Sequence, residues 1–259
     1  MPKFAANLSM LFTELPFLER FAAARAAGFE AVEFLFPYAW TKDELAQALK
    51  GNGLRQVLHN LPPGNWDAGE RGIACHPLRV EEFRAGVAQG IDYANALGCP
   101  QLNCLAGIKP ADVSVEQARA TLVANLQYAA AQLKAAGLRL LIEPINNYDI
   151  PGFFLNRTAQ AAAIIDDVGS DNLYIQYDIY HAQRMEGELA ATMQKYLPQI
   201  AHMQLADNPA RNEPGTGEIN YAWLFRHIDA IGYTGWIGCE YKPRAGTTAG
   251  LGWIKALTS

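Results

Sequence analysis

Four polar side chains sit late in four successive apolar runs. Glu143 follows Leu140-Leu141-Ile142, Asp178 follows Ile175-Gln176-Tyr177, Gln204 follows His202-Met203, and Glu240 closes Trp236-Ile237-Gly238-Cys239. One such carboxylate is unremarkable, because loops and nearby Lys or Arg use carboxylates freely. Four at matched places are different: if the runs are neighbouring parallel strands, the side chains converge, and three carboxylates repel one another unless a cation lies between them. Two Glu, one Asp and one Gln make an all-oxygen donor set. That set suits Mg²⁺ or Mn²⁺ better than Zn²⁺, whose sites favour His and Cys.

Other residues fall at the same ends. His181, three positions beyond Asp178, is placed to hydrogen-bond a substrate or the metal shell. His59, in Leu58-His59-Asn60, is a second pocket candidate, and Asn7, Glu33 and Asn103 also end apolar runs. No G-x-S-x-G elbow, P-loop, H-E-x-x-H or paired C-x-x-C occurs. Gly215-Thr216-Gly217-Glu218 superficially resembles a phosphate loop, but it follows Pro209 and Pro214 and reads as a turn-rich lead into a helix.

The elements that must position these groups are legible from periodicity. Eight short runs rich in branched or aromatic residues recur: Phe4–Met10, Ala31–Phe36, Gln56–Leu61, Gln101–Ala106, Arg139–Ile145, Leu173–Tyr180, Ile200–Ala206 and Trp236–Tyr241. Amphipathic segments separate nearly all of them: Pro16–Ala27, Lys42–Lys50, Val80–Leu97, Val115–Ala136, Thr158–Val168, Leu189–Leu197 and Tyr221–Ile231. Gly28, Gly53, Gly98, Gly137, Gly232 and Gly235 stand where helices should stop before the next strand. Alternating strands and helices imply parallel strands with right-handed crossovers, and eight units close a barrel. A doubly wound sheet would also alternate, but it would offer a Gly-rich loop after its first strand, where Ser9-Met10-Leu11-Phe12 stands instead. The expectation is therefore an α/β fold, a single (β/α)₈ TIM barrel over residues 1–259. The stretch Pro62–Arg79 reads as a long loop covering the site.

Composition narrows the partners. Half of the 259 residues are apolar and 18% are charged, enough for a large core. A net charge of −5 argues against nucleic acid or an anionic membrane surface and points to a small-molecule substrate. Cys75, Cys99, Cys104 and Cys239 are scattered through apolar runs and read as reduced core thiols, which suits the cytoplasm. No N-terminal signal segment or membrane span is expected. The sequence leaves oligomeric state open, a homo-oligomer included.

Several segments carry a more specific likeness. They are Phe4-Ala5-Ala6-Asn7-Leu8-Ser9-Met10-Leu11-Phe12, Val32-Glu33-Phe34-Leu35-Phe36-Pro37-Tyr38, Leu58-His59-Asn60-Leu61-Pro62, Gly69-Glu70-Arg71-Gly72-Ile73-Ala74-Cys75, Ile142-Glu143-Pro144-Ile145-Asn146, Gln176-Tyr177-Asp178-Ile179-Tyr180-His181, Glu213-Pro214-Gly215-Thr216-Gly217-Glu218-Ile219-Asn220-Tyr221 and Gly238-Cys239-Glu240-Tyr241-Lys242-Pro243. With these the chain resembles the hydroxypyruvate isomerases, a branch of the xylose-isomerase-like barrels, over nearly its whole length. The resemblance implies a metal shell of Glu143, Asp178, Gln204 and Glu240, with Glu143 and Glu240 as the proton-transfer pair. It implies an enediolate route between hydroxypyruvate and tartronate semialdehyde. The substrate carboxylate would then need a cationic partner, for which Arg71, Arg184, Arg211 and Lys242 lie in suitable loops. The related 2-oxo-tetronate isomerases share the opening segment and the Glu-Tyr-Lys-Pro ending, while His59-Asn60-Leu61-Pro62 and Glu143-Pro144-Ile145-Asn146 resemble the hydroxypyruvate group. A ketose epimerase and a sugar-acid binding protein without turnover are further readings, as is phosphodiester cleavage like that of the apurinic endonucleases of the same fold, which five histidines and an acidic chain disfavour.

Overall fold

Eight parallel strands alternate with helices and pair in the order β1 to β8, with β8 closing back on β1. The computed structural model describes residues 1–258. In chain order the elements are β1 (Lys3–Asn7), α1 (Arg20–Ala26), β2 (Ala31–Glu33), α2 (Lys42–Asn52), β3 (Arg55–Asn60), α3 (Val80–Leu97), β4 (Gln101–Cys104), α4 (Val115–Ala135), β5 (Arg139–Ile142), α5 (Thr158–Val168), β6 (Leu173–Asp178), α6 (Ile179–Met185), α7 (Leu189–Tyr196), β7 (Ile200–Leu205), α8 (Tyr221–Ala230), β8 (Trp236–Cys239), α9 (Thr247–Gly250) and α10 (Gly252–Thr258). The expected barrel is the observed one.

Local chemistry sets the helix ends. Thr41 and Glu44 form a reciprocal capping box at the start of α2, and the Ser114 hydroxyl accepts the Gln117 N–H at the start of α4. The stop at Gly53 uses a left-handed φ of 60°, as the glycine pattern predicts. Gly235 differs from that pattern, because its φ is not positive. It is small because an added Cβ would lie 2.3 Å from the Tyr233 hydroxyl.

The apolar core lies between the strands and the helix ring, where Leu102, Leu140, Ile142, Leu126 and Phe225 are buried. The inside of the barrel is different. Its upper part is filled by a hydrogen-bonded polar network in which Glu33 accepts from Asn7 Nδ2 at 2.9 Å and Gln204 Nε2 at 2.7 Å, and lies 2.6 Å from His202 Nε2. Gly238 makes room for it: a Cβ there would stand 2.2 Å from the Glu33 carboxylate. Buried polar groups this dense are tolerable only when paired, and here they fix the strand register from within.

The strands end one to three residues earlier than the apolar runs. Glu143 and Glu240 each stand one residue past their strand, at the C-terminal mouth. Both side chains are buried there.

Candidate active site

The mouth gathers three carboxylates. Glu143, Asp178 and Glu240 are all buried. Asn103 Nδ2 donates to Glu143 Oε2 at 3.0 Å, and Asn7 Nδ2 and Gln204 Nε2 donate to Glu240 Oε2 at 3.3 and 2.5 Å. Asp178 uses its two oxygens differently. Oδ1 caps α6 by accepting the Tyr180 and His181 N–H groups at 2.7 and 3.3 Å, whereas Oδ2 is buried and accepts no hydrogen bond. An orphaned buried carboxylate oxygen is costly unless something meets it.

Arg211 brings a positive charge to the same place. Its Nη2 lies 2.7 Å from Glu240 Oε1 and 4.0 Å from Asp178 Oδ2, and its Nη1 lies 3.7 Å from Asp149 Oδ2. The guanidinium covers the Tyr180 ring at 5.2 Å. Arg211 holds a left-handed φ of 58°, a strained conformation for a residue with a side chain. The Lys242 N–H fixes it by donating to Arg211 O at 2.7 Å.

His181 completes the group, with Nε2 3.9 Å from Glu143 Oε1 and 3.7 Å from Asp178 Oδ2. Its tautomer follows from its neighbour. Asn146 Oδ1 accepts the Tyr148 and Asp149 N–H groups, so the Nδ2 amide must face His181 Nδ1, 2.6 Å away. Nδ1 therefore accepts and Nε2 carries the proton. Burial, with Arg211 and Arg184 nearby, holds the ring well below its usual pKa, so it is neutral. Glu143, Asp178 and His181 lie close enough to hold an ion together. The tautomer makes His181 an N–H donor aimed at the carboxylates rather than a ligand.

Gln204 differs from the expectation in orientation. Its amide N–H₂ faces Glu33 and Glu240, while Oε1 accepts from Gln176 Nε2 at 2.6 Å. For Gln204 to present oxygen to an ion its amide must turn over. Gln176 must turn with it, because its Nε2 faces Gln204 now; its Oε1, buried without a partner, then accepts the reversed N–H₂.

The donor chemistry fits a hard divalent ion: Glu143 and Asp178 lie together with one oxygen orphaned, and Glu240, held by Arg211, Gln204 and Asn7, is near enough to act on both electrostatically. Burial first, then Glu240 and Asp178, push Glu143 well above the ordinary carboxylate range. Burial also takes Glu240 to about 8 and Asp178 to about 6, against the pull of Arg211. A carboxyl raised in the folded state binds more protons there than in the unfolded chain. Its contribution to stability is thus complete below the unfolded pKa and is lost as pH rises through the folded one. Metal-stripped protein should melt at progressively lower temperature from about pH 5 to about pH 9, and Mn²⁺ should raise Tm most at the alkaline end. Melts with chelator and with Mn²⁺ check this; a chelator series that is flat across the window contradicts it.

Other expected residues fare unevenly. Arg184 Nη1 bonds the Tyr180 hydroxyl and Pro209 O at the rim, each at 3.3 Å. Arg71 covers the Trp66 ring at 4.1 Å and donates to Trp66 O and Glu70 O, so its side chain is used within its own loop. Lys242 reaches the site through its backbone only. His59 is displaced by a register shift between Val32 and Glu33, which pairs Glu33 with Leu58. The shift turns Asn60 inward, to Asn103, and leaves His59 beside Gln56 and Tyr38, away from the carboxylates. Its place in the pocket is corrected accordingly.

Asp207 is a residue that sequence reasoning missed. Its Oδ2 accepts the N–H groups of Gly215, Thr216 and Gly217 at 2.8–3.0 Å, and its Oδ1 those of Asn208 and Ile219 at 3.0 and 3.1 Å. The phosphate-loop-like glycines thus cradle an internal carboxylate, and the ring so formed presents Arg211. Asp207→Asn should cost about 2–4 kcal/mol and lower Tm by about 5–10 °C, with faster proteolysis in 208–219. An unchanged melt would contradict this account of the loop.

Fold and site together define a TIM barrel with a carboxylate-lined centre at its C-terminal mouth. The profile of the family described as "Xylose isomerase-like TIM barrel" matches residues 21–257, and the chain belongs to that family. It is 59% identical over 254 residues to "Hydroxypyruvate isomerase" of Escherichia coli (strain K12), covering 98% of each. It is 51% identical to "2-oxo-tetronate isomerase" of Cupriavidus necator over 255 residues, again 98% of each. A crystal structure titled AP endonuclease, family 2, from Brucella melitensis superposes with a TM-score of 0.96 at 44% identity, covering 99% of both chains.

Proposed function

We propose that this protein is an isomerase that interconverts hydroxypyruvate and tartronate semialdehyde (2-hydroxy-3-oxopropanoate) with the help of a divalent ion, Mg²⁺ or Mn²⁺. The observation that carries the reading is the unpartnered Asp178 oxygen beside Glu143, with Arg211 linking it to Glu240. The relatives' names support the chemistry, and the higher identity to the hydroxypyruvate isomerase favours the three-carbon substrate. The whole chain reads as one catalytic domain. Four buried free thiols and an excess of acidic over basic side chains suit a reducing compartment and a small-molecule substrate.

The reaction moves a carbonyl between adjacent carbons. A proton leaves C3 of hydroxypyruvate, the electrons form a C2–C3 double bond, and a proton returns at C2, while a hydroxyl proton passes from O3 to O2. Two carboxylates do this: one of Glu143 and Glu240 accepts the proton and the other delivers one, with roles exchanged in the reverse direction. His181 Nε2–H donates to oxygen on which charge develops. Arg211, released from Glu240, takes the substrate carboxylate in a charge-assisted pair. The ion, held by Glu143, Asp178, Glu240 and a turned Gln204, would supply Lewis-acid stabilisation of the enediolate. Asn146 and Asp207 keep His181 and Arg211 in place.

The test is turnover by purified protein with hydroxypyruvate beside 2-oxo-tetronate, other 2-oxo acids and free ketoses, with Mn²⁺ or Mg²⁺ added. Preference for hydroxypyruvate supports the proposal, preference for the four-carbon acid moves the protein to the tetronate branch, and ketose epimerisation alone overturns it. Anomalous scattering from Mn²⁺-grown crystals checks the ligands independently.

A further inference from the structure

The opposite end of the barrel holds a second assembly of charge. A cavity of about 720 Å³ opens at the N-terminal mouth, lined by Lys3, Arg55 and Arg139 and, among the described residues, by no Asp or Glu. Such a lining is unusual in a chain with 26 acidic and 21 basic side chains. The three cations begin β1, β3 and β5. Strand parity aims each inward: Lys3 shares a face with Asn7, whose amide reaches Glu240, and Arg55 shares one with Val57, which packs with Ala5 and Ala31. Alternate strands supply one layer of side chains in such barrels, so three seats of the lowest layer are cationic.

None of the three takes part in a salt bridge among the described residues. Lys3 Nζ lies over the Trp236 ring at 5.4 Å and the Arg139 guanidinium over the Tyr174 ring at 5.9 Å, which hold the charges in place without neutralising them. Behind them stands Gln101, 3% exposed, which lines the same cavity and whose Oε1 is buried without a partner. It lies two residues before Asn103 on the inward face of β4, beside Arg139, its Cα partner on β5.

We propose that this mouth is a binding site for a small hydroxylated anion of charge −2 or more. The anionic group sits among Lys3, Arg55 and Arg139, and a hydroxyl donates to Gln101 Oε1. Converging like charges in a concave wall raise the local concentration of anions, and guanidinium groups bind phosphate or carboxylate in forked pairs. Catalytic groups occupy the other end, so this is a site for binding alone. The shared chemistry is met by a polyol phosphate or by a hydroxy dicarboxylate.

Calorimetric titration with sn-glycerol 3-phosphate and malate, beside methyl phosphate and succinate, which lack the hydroxyl, tests the site and separates the sources. At least one hydroxylated anion should bind, and Arg55→Gln/Arg139→Gln should weaken it by about tenfold or more per guanidinium. Gln101→Leu should remove the advantage of the hydroxylated member over its plain counterpart. Basal isomerase activity of the double variant should stay unchanged. Trp236 emission offers a readout in the unmodified chain, shifting on addition of the anion and silent in Trp236→Phe, should the double variant fold poorly. Two results would overturn the site: no binding of any of the four at millimolar concentration, or binding indifferent to Arg55 and Arg139. A double variant that only melts earlier assigns the cations to helix C-termini instead, and also overturns it.

Discussion

Glu143→Gln and Glu240→Gln are each expected to lower kcat on hydroxypyruvate by about 10²–10⁴-fold, the range that a positioned acid or base supplies. Glutamine keeps the shape and much of the hydrogen bonding from Asn103 or from Gln204 and Asn7 but cannot carry the proton. Tm of Glu143→Gln should hold or rise, because that glutamate lies among like charges, whereas Glu240→Gln gives up the 2.7 Å pair with Arg211 and should melt lower. Solvent hydrogen exchange at C3 distinguishes the two roles: the variant lacking the base for the forward direction stops exchange, whereas the one lacking the acid can retain it. Near-normal turnover in both variants would end the two-carboxylate mechanism.

The second large effect is expected at Arg211. Arg211→Met should raise KM for hydroxypyruvate by about 10–100-fold, the loss of a charge-assisted pair, with a smaller change in kcat. It should also tighten Mn²⁺ binding without substrate, because the guanidinium and an ion draw on the same Glu240 Oε1 and Asp178 Oδ2. Steady-state kinetics and Mn²⁺ titration followed by electron paramagnetic resonance read the two halves separately. A KM within twofold of the parent would mean that the substrate carboxylate is held elsewhere, with Arg184 at the rim the next group to test.

The barrel was legible because its periodicities are regular: branched runs, amphipathic segments and stop glycines agree along nearly the whole chain. Helix α6 was not, since its seven residues, His181 among them, continue directly from β6. Glu143, Asp178 and Glu240 were visible as interruptions of apolar runs. His59 was not separable from them by the same rule, because a strand-end rule presumes an even register and the shift beside Glu33 breaks it. Arg71, Arg211 and Lys242 looked alike as loop cations. Only the folded loop shows that one is stacked on Trp66, one enters the carboxylates and one contributes its backbone. The Gln204 position was foreseeable and its amide orientation was not, since that depends on Gln176, Glu33 and Glu240 together. Asp207 carried no signal beyond its place after β7, because its partners are backbone N–H groups that any sequence possesses.

The divided use of Asp178 has one further consequence. Its carboxylate both opens the helix of 179–185 and leaves one buried oxygen free for a ligand. A ligand at the free oxygen would therefore share its anchor with the segment that carries the histidine.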